Sequence, residues 1–232
     1  MAQVDFAERQ LTLKLVYYGP PLSGKTTNLR ALHARVETVN RGRLMTLDTR
    51  DDRTLFFDLL PIFFRASGFS FRIKVYTVPG QPIHEATRRV VLSQADGVVF
   101  VADSRPDHAA GNREAWDGMT RNLSQLGLER IPCVVQYNKR DLPGAIAIAD
   151  ADRFDQKDRP LVEAVAVKGE GVLPTFFALI ERVWGNLDGD LRLAQKYQID
   201  AGTFRTALEA HVGAGVPMAD ADPQGSGPLP PA

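Results

Sequence analysis

A single cysteine, Cys133, stands in 232 residues, so no disulfide can close within the chain. It lies in an apolar run and reads as a small buried hydrophobe. Charge of neither sign prevails, Lys+Arg and Asp+Glu numbering 28 each. Without a basic field, neither nucleic acid nor an anionic membrane is expected as a partner. Long hydrophobic runs are missing too. The longest, such as Gly97-Val98-Val99-Phe100-Val101-Ala102, fall far below the length that crosses a bilayer. The opening Met1-Ala2-Gln3-Val4-Asp5 has neither the basic region nor the apolar stretch of a secretory signal, which points to the cytoplasm. No internal repeat is present. Residues 213–232 hold nine Gly or Pro in twenty, with no aromatic residue and no Lys or Arg, and are expected to be a disordered tail. The closing Pro-Leu-Pro-Pro-Ala is not a C-a-a-X box, so no membrane anchor is expected. Pro228-Leu229-Pro230-Pro231 reads as solvated tail rather than a polyproline ligand.

What is present is a phosphate-binding pattern. Gly19 to Thr26 spell G-x-x-x-x-G-K-T between a strand-like run, Leu11 to Tyr18, and a helical one from Thr27 to His33. Backbone N–H groups of such a turn wrap phosphates, the candidates being Gly19, Leu22, Ser23, Gly24 and Thr27. Lys25 reaches the terminal phosphates and the Thr26 hydroxyl can ligate Mg²⁺. The anion then sits at a helix N-terminus, where the dipole favours it.

A second pattern selects the base. The apolar run Ile131 to Tyr137 ends in Asn138-Lys139-Arg140-Asp141, an N-K-x-D sequence. The Asp141 carboxylate can accept two hydrogen bonds, from guanine N1–H and the N2 amino group. Adenine offers no such pair and leaves the carboxylate unmatched.

Between these patterns, strand and helix signals alternate. Phe69 to Tyr76 alternates apolar and polar, predicting a strand with one wetter face at or near a sheet edge. Phe56-Phe57, Leu59-Leu60 and Phe63-Phe64 read as core strand. Val98 to Ala102 and Val134-Val135 are continuously apolar, as in a parallel sheet covered on both faces. Residues 161–167 read as the last strand, and 110–126, 150–158 and 173–187 as helices. With 44% hydrophobic residues, the expectation is an α/β fold of the P-loop NTPase kind. It would be a doubly wound, mostly parallel sheet of about six strands with helices on both faces and its site at the strands' carboxyl ends. The expected organisation is a nucleotide-binding domain over 1–188, a short helical extension over 189–212 and the tail.

These features resemble the Ras-superfamily small GTPases, and more narrowly their bacterial mutual-gliding (MglA-type) branch. The resemblance rests on Val16-Tyr17-Tyr18-Gly19-Pro20, Asp52-Arg53-Thr54-Leu55-Phe56-Phe57-Asp58 and Tyr76-Thr77-Val78-Pro79-Gly80-Gln81. It extends through Asp96 to Ser104 and through Gln136 to Pro143, covering residues 10–188. It implies that Thr26 and Thr54 ligate Mg²⁺, Thr54 only when the γ-phosphate orders its loop. It implies that the Gly80 N–H touches the γ-phosphate, that Gln81 orients the attacking water and that Arg53 is an arginine supplied in cis. Ala166 and Val167 align with the loop that closes over the base. Three positions depart from the superfamily pattern. Pro21 stands where glycine is usual and removes one N–H. Thr77 replaces the aspartate behind the Mg²⁺, and Val167 stands where a longer residue often covers the base, with Lys168 beside it.

The resemblance implies a GTP-hydrolysing switch, slow without an activator, that binds GTP, GDP and Mg²⁺ and recruits effectors in its GTP form. It further implies a roadblock-type dimer as activator at the switch loops, a monomer in isolation, a role in motility or polarity, and location at cell poles or on filaments. Two alternatives stay open. One is a GTP-binding scaffold whose hydrolysis is impaired by Pro21 and Thr77; the other is a P-loop ATPase or kinase.

Overall fold

A computed structural model describes residues 2–47, 57–152, 154 and 159–213. The chain opens with β1 (Gln3–Asp5) and β2 (Gln10–Tyr18), then α1 (Lys25–Arg35). Next come β3 (Met45–Leu47), β4 (Phe57–Ala66) and β5 (Phe69–Thr77). After α2 (Glu85–Leu92), β6 (Gly97–Asp103), α3 (Ala109–Gln125), β7 (Cys133–Asn138) and β8 (Leu161–Glu163), three helices finish it: α4 (Val172–Leu191), α5 (Leu193–Tyr197) and α6 (Ala201–His211).

Among the described residues eight strands form one sheet in the order β3-β4-β5-β2-β6-β7-β8, with β1 antiparallel on β2. From β5 to β8 the pairings are parallel, while β3 and β4 run antiparallel on β5's outer side. Two strands exceed the expected six, since β1 and β3 are three-residue pieces too short to carry a period.

The central strands bury both faces, and their residues divide between two cores as a period of two requires. In β2, Leu11, Leu13, Leu15 and Tyr17 face the α1, α4 and α6 side, whereas Val16 and Tyr18 face α2 and α3. In β6, Val99 and Val101 take the first side, and Val98, Phe100 and Ala102 the second. The alternating strand β5 lies near one edge of the sheet rather than at it. β5 lies between β4 and β2, two strands in from β3. Its Phe69, Phe71, Ile73 and Val75 are buried while Ser70, Arg72, Lys74 and Tyr76 are partly or fully exposed.

Two other expectations change. Residues 150–152 form a turn, not a helix, with 153 and 155–158 outside the described residues. Asp152 there accepts the Phe154 N–H at 2.7 Å, and Phe154, at φ +50, packs its ring against both Phe100 and Trp116. Aspartate offers the backbone this local bond in competition with a helix. The last strand stops at Glu163, because the chain turns through Ala166–Lys168 to reach Asn138.

The C-terminal helices close the first core. Helix α4 runs through Asp188 to Leu191, and Phe204 of α6 stacks on Trp184 at 4.0 Å and meets Phe71 edge-on at 5.2 Å. Asp200 caps α6 through the Thr203 N–H, and Val212 bridges Val36. Positions 214–232, the expected tail, lie outside the described residues. Among the described residues no helix is long and apolar enough to cross a membrane.

Candidate functional site

Because β2, β5, β6 and β7 are parallel, their carboxyl ends share one rim, where the site is built. The loop after β2 starts at Gly19, where a Cβ would stand 2.2 Å from the Val101 carbonyl oxygen. It ends at Gly24, the N-cap of α1 at φ +102, where a Cβ would stand 2.2 Å from Asn138 Nδ2. No other residue satisfies both demands. Leu22 holds φ +60 with its side chain 84% exposed.

Helix α1 has no side-chain cap and no acidic residue in its first turn, where Thr26 and Thr27 stand. Its leading N–H groups are therefore left for an anion. Among the described residues the Ser23 hydroxyl is also buried without a partner. Lys25 is only 7% exposed, and its Nζ donates to the Gly19 and Pro20 carbonyls at 2.9 and 2.6 Å. Burial, helped by the Arg88 charge and opposed by Asp58, pushes its ammonium down to about 7. A phosphate is the partner such a desolvated cation lacks. A cavity of about 410 Å³ opens here, lined by Gly24 to Thr27 on one side and by Asp58 and Thr77 to Gly80 on the other.

Gly80 lies against the phosphate loop itself. A Cβ on it would be 2.5 Å from Pro21 Cα, 2.6 Å from Pro21 N and 2.9 Å from the Pro20 carbonyl carbon. Gln81 next to it has an exposed side chain. Its carbonyl accepts from Arg88 Nη2 at 2.9 Å, and Arg88 Nη1 donates to the Tyr18 hydroxyl at 3.0 Å. Arg88 of α2 thus ties Gln81 to Tyr18, the residue before Gly19. Arg53 and Thr54 lie outside the described residues.

On the other side of the loop, Asn138 is 2% exposed and joins three segments. Its Nδ2 donates to the Ser23 carbonyl at 2.8 Å, and its Oδ1 accepts the Ala166 N–H at 2.9 Å. Lys139, at φ +67, donates to Asp103 Oδ2 at 2.7 Å. Burial pushes the fully buried Asp103 carboxyl up, but hydrogen bonds from Arg105 and Lys139 outweigh it and hold it at about 2. Asp141 stands exposed in the turn that follows, and Val167 is 60% exposed.

Thus Gly19, Ser23, Gly24, Lys25, Asn138, Lys139 and Ala166 come together, with Thr26 and Gly80 on the loop's other side. Sequence reasoning missed several groups around them. Gln136 exchanges hydrogen bonds with Asn28 at 2.8 and 2.9 Å and donates to the Thr175 hydroxyl, locking α1 to β7 and α4 under the loop. Its signal was a lone amide in an apolar strand. Asp58 had the same signal, one acid in the apolar stretch from Phe56 to Phe64. It accepts from Thr26 Oγ1 at 2.6 Å, Thr46 Oγ1 at 2.8 Å and Thr77 Oγ1 at 3.0 Å. No group of three or more His, Cys, Asp or Glu is gathered among the described residues. A cation here would meet hydroxyl, carboxylate and phosphate oxygens, the donor set that suits Mg²⁺.

No family model matches the chain. Over 187 residues it is 41% identical to the mutual gliding-motility protein MglA of Myxococcus xanthus (strain DK1622), an alignment spanning 79% of this chain and 96% of that protein.

Proposed function

The chain belongs to the MglA-type branch of the Ras-superfamily small GTPases, and from that membership we propose a GTP-binding switch that hydrolyses GTP to GDP and recruits effectors while GTP is bound. The observation that supports this best is the convergence on one rim of Lys25, the Gly80 backbone and the Asn138 bridge. These are the three places where phosphate chain, γ-phosphate and base are met.

The residues divide the labour as follows. Lys25 and the first turn of α1 hold the phosphates, and Asn138, Lys139, Asp141 and Ala166-Val167 shape the guanine pocket. Gln81 orients the attacking water and Arg53 neutralises charge on the γ-phosphoryl oxygens, both acting chiefly in the transition state. Thr26 and Thr54 would hold Mg²⁺, which when bound offsets the phosphate charge. The protein needs no covalent step, only positioning and positive charge. Loss of the γ-phosphate releases the Thr54 and Gly80 segments, which is the switch. An activator of the roadblock-dimer type and effectors bind these segments. The relative's name refers to gliding motility; for this chain we assign motility or cell polarity, exercised at cell poles or on filaments.

Single-turnover phosphate release tests the reading. Wild type should be slow alone and faster with its activator. Arg53→Ala and Gln81→Leu should lower the stimulated rate by about 10³-fold with GTP affinity nearly unchanged. Stimulated rates that do not differ among the three proteins would leave a nucleotide-binding scaffold instead.

A further inference from the structure

Position 77 carries threonine where the superfamily has a carboxylate, yet the cavity contains one. Asp58 sits on β4, one step beyond the Leu59–Tyr76 pair in the antiparallel ladder with β5, and so opposite Thr77. Its N–H donates to Thr77 Oγ1 at 2.9 Å, and Thr77 Oγ1 donates back to Asp58 Oδ2 at 3.0 Å. The two side chains therefore share a face, the one turned toward Thr26.

Asp58 is 6% exposed, and among the described residues no Lys, Arg or His forms an ion pair with it. Three hydroxyls solvate it, from Thr26, Thr46 and Thr77. Hydroxyls can carry a buried carboxylate, but they supply no countercharge, and the Lys25 ammonium, which interacts with Asp58 through space, forms no ion pair with it among the described residues. The shortest of the three bonds, 2.6 Å, comes from Thr26, whose oxygen is the expected cation ligand. A hydroxyl that gives its proton away in this manner is oriented, and its oxygen becomes a better ligand.

Given the nucleotide reading above, on which this rests, we propose that Asp58 supplies from β4 the carboxylate that Thr77 lacks on β5. It is a positioning residue for Mg²⁺, aiming the Thr26 hydroxyl and providing negative charge behind the ion. Thr77 then has its own part: a hydroxyl there orients Asp58, whereas an aspartate would set two carboxylates side by side and repel it. The carboxylate has moved across one strand pairing.

The test reads Mg²⁺ dependence of nucleotide release, not turnover. Fluorescent GDP is loaded onto the full chain, and its off-rate is followed across a Mg²⁺ titration buffered with EDTA. In wild type, removal of Mg²⁺ should speed release. Asp58→Asn should raise the Mg²⁺ concentration for half-protection by about 10- to 100-fold, with little change in the off-rate in EDTA. The exchange variant Asp58→Thr with Thr77→Asp should bring the midpoint back to within about threefold of wild type, and it keeps the proposal testable if Asp58→Asn folds poorly. An unchanged midpoint in Asp58→Asn would overturn the assignment. So would a tighter one, which would make Asp58 a competitor for Thr26, or an exchange variant that folds without recovering. A wild-type protein that binds no guanine nucleotide would instead overturn the reading on which the proposal stands.

Discussion

Asn138→Ala should damage the protein twice, before and after nucleotide is added. The side chain is buried and serves two backbone groups, the Ser23 carbonyl at 2.8 Å and the Ala166 N–H at 2.9 Å. Truncation leaves an acceptor and a donor stranded, and each costs about 1–3 kcal/mol. Water entering the gap offsets part, so the sum is about 2–4 kcal/mol. For a domain of this size that lowers Tm by about 4–16 °C. The same two bonds register the phosphate loop against the proposed base loop at Ala166, so GDP affinity should fall at least about tenfold, or 1.4 kcal/mol. Asn138→Asp discriminates further: it keeps the acceptor for Ala166 but sets a carboxylate against the Ser23 carbonyl oxygen, and should be no more stable than the alanine variant. Differential scanning calorimetry on nucleotide-free protein and isothermal titration with GDP measure the two effects. A Tm within about 1 °C of wild type, with only GDP binding lost, would refute the bridging role and leave Asn138 as a simple base contact.

Gly80→Ala puts a methyl group against the Pro20-Pro21 backbone. It should cost about 1–3 kcal/mol of overpacking and weaken GTP more than GDP in competition binding. Lys25 gives a pH signature. With its ammonium at about 7 in the fold and 10.5 unfolded, the unfolded chain binds more protons between those values. Stability of nucleotide-free protein should therefore rise from pH 7 to 10, by up to about 1.4 kcal/mol per unit, and the slope should vanish in Lys25→Met. Asp141→Asn should cost about 2–5 kcal/mol in GTP affinity and relax discrimination against xanthine nucleotides; equal affinity of wild type for ATP and GTP would sink that assignment. Phe204→Ala should destabilise by about 3–5 kcal/mol, because its ring stacks on Trp184, while GDP affinity in the folded protein stays near wild type.

Much of this was legible where one residue type has one physical use. Gly19 and Gly24 announce themselves because no Cβ fits, Lys25 because it follows them, and β6 and β7 because an uninterrupted apolar strand needs cover on both faces. What failed was inference from composition to position. The alternation of β5 was legible, but one open face looks alike at an edge and inside a sheet whose neighbouring strand is also bare on that side. Residues 150–152 have helix-like content, yet Asp152 spends its carboxylate on the Phe154 N–H. Asp58, Arg88 and Gln136 could not be assigned in advance, since each acts on a partner 32, 70 or 108 positions away. Strand pairing, not spacing, makes them neighbours.

Pro21 shows how the same distinction bears on mechanism. As a sequence departure it removes an N–H from the phosphate loop. Its neighbours show which side of the loop bears the consequence. The Pro20 carbonyl already accepts Lys25 Nζ at 2.6 Å and the Ser23 N–H at 3.4 Å, so the turn closes without any donor from Pro21. The Pro21 backbone faces Gly80, the one residue of the Thr77 to Gln81 segment with no side chain to clash there. Crowding by proline therefore falls on whatever crosses that face. A glycine backbone can lie there, whereas a side chain at position 80 would meet the Pro20-Pro21 backbone and force the two segments apart.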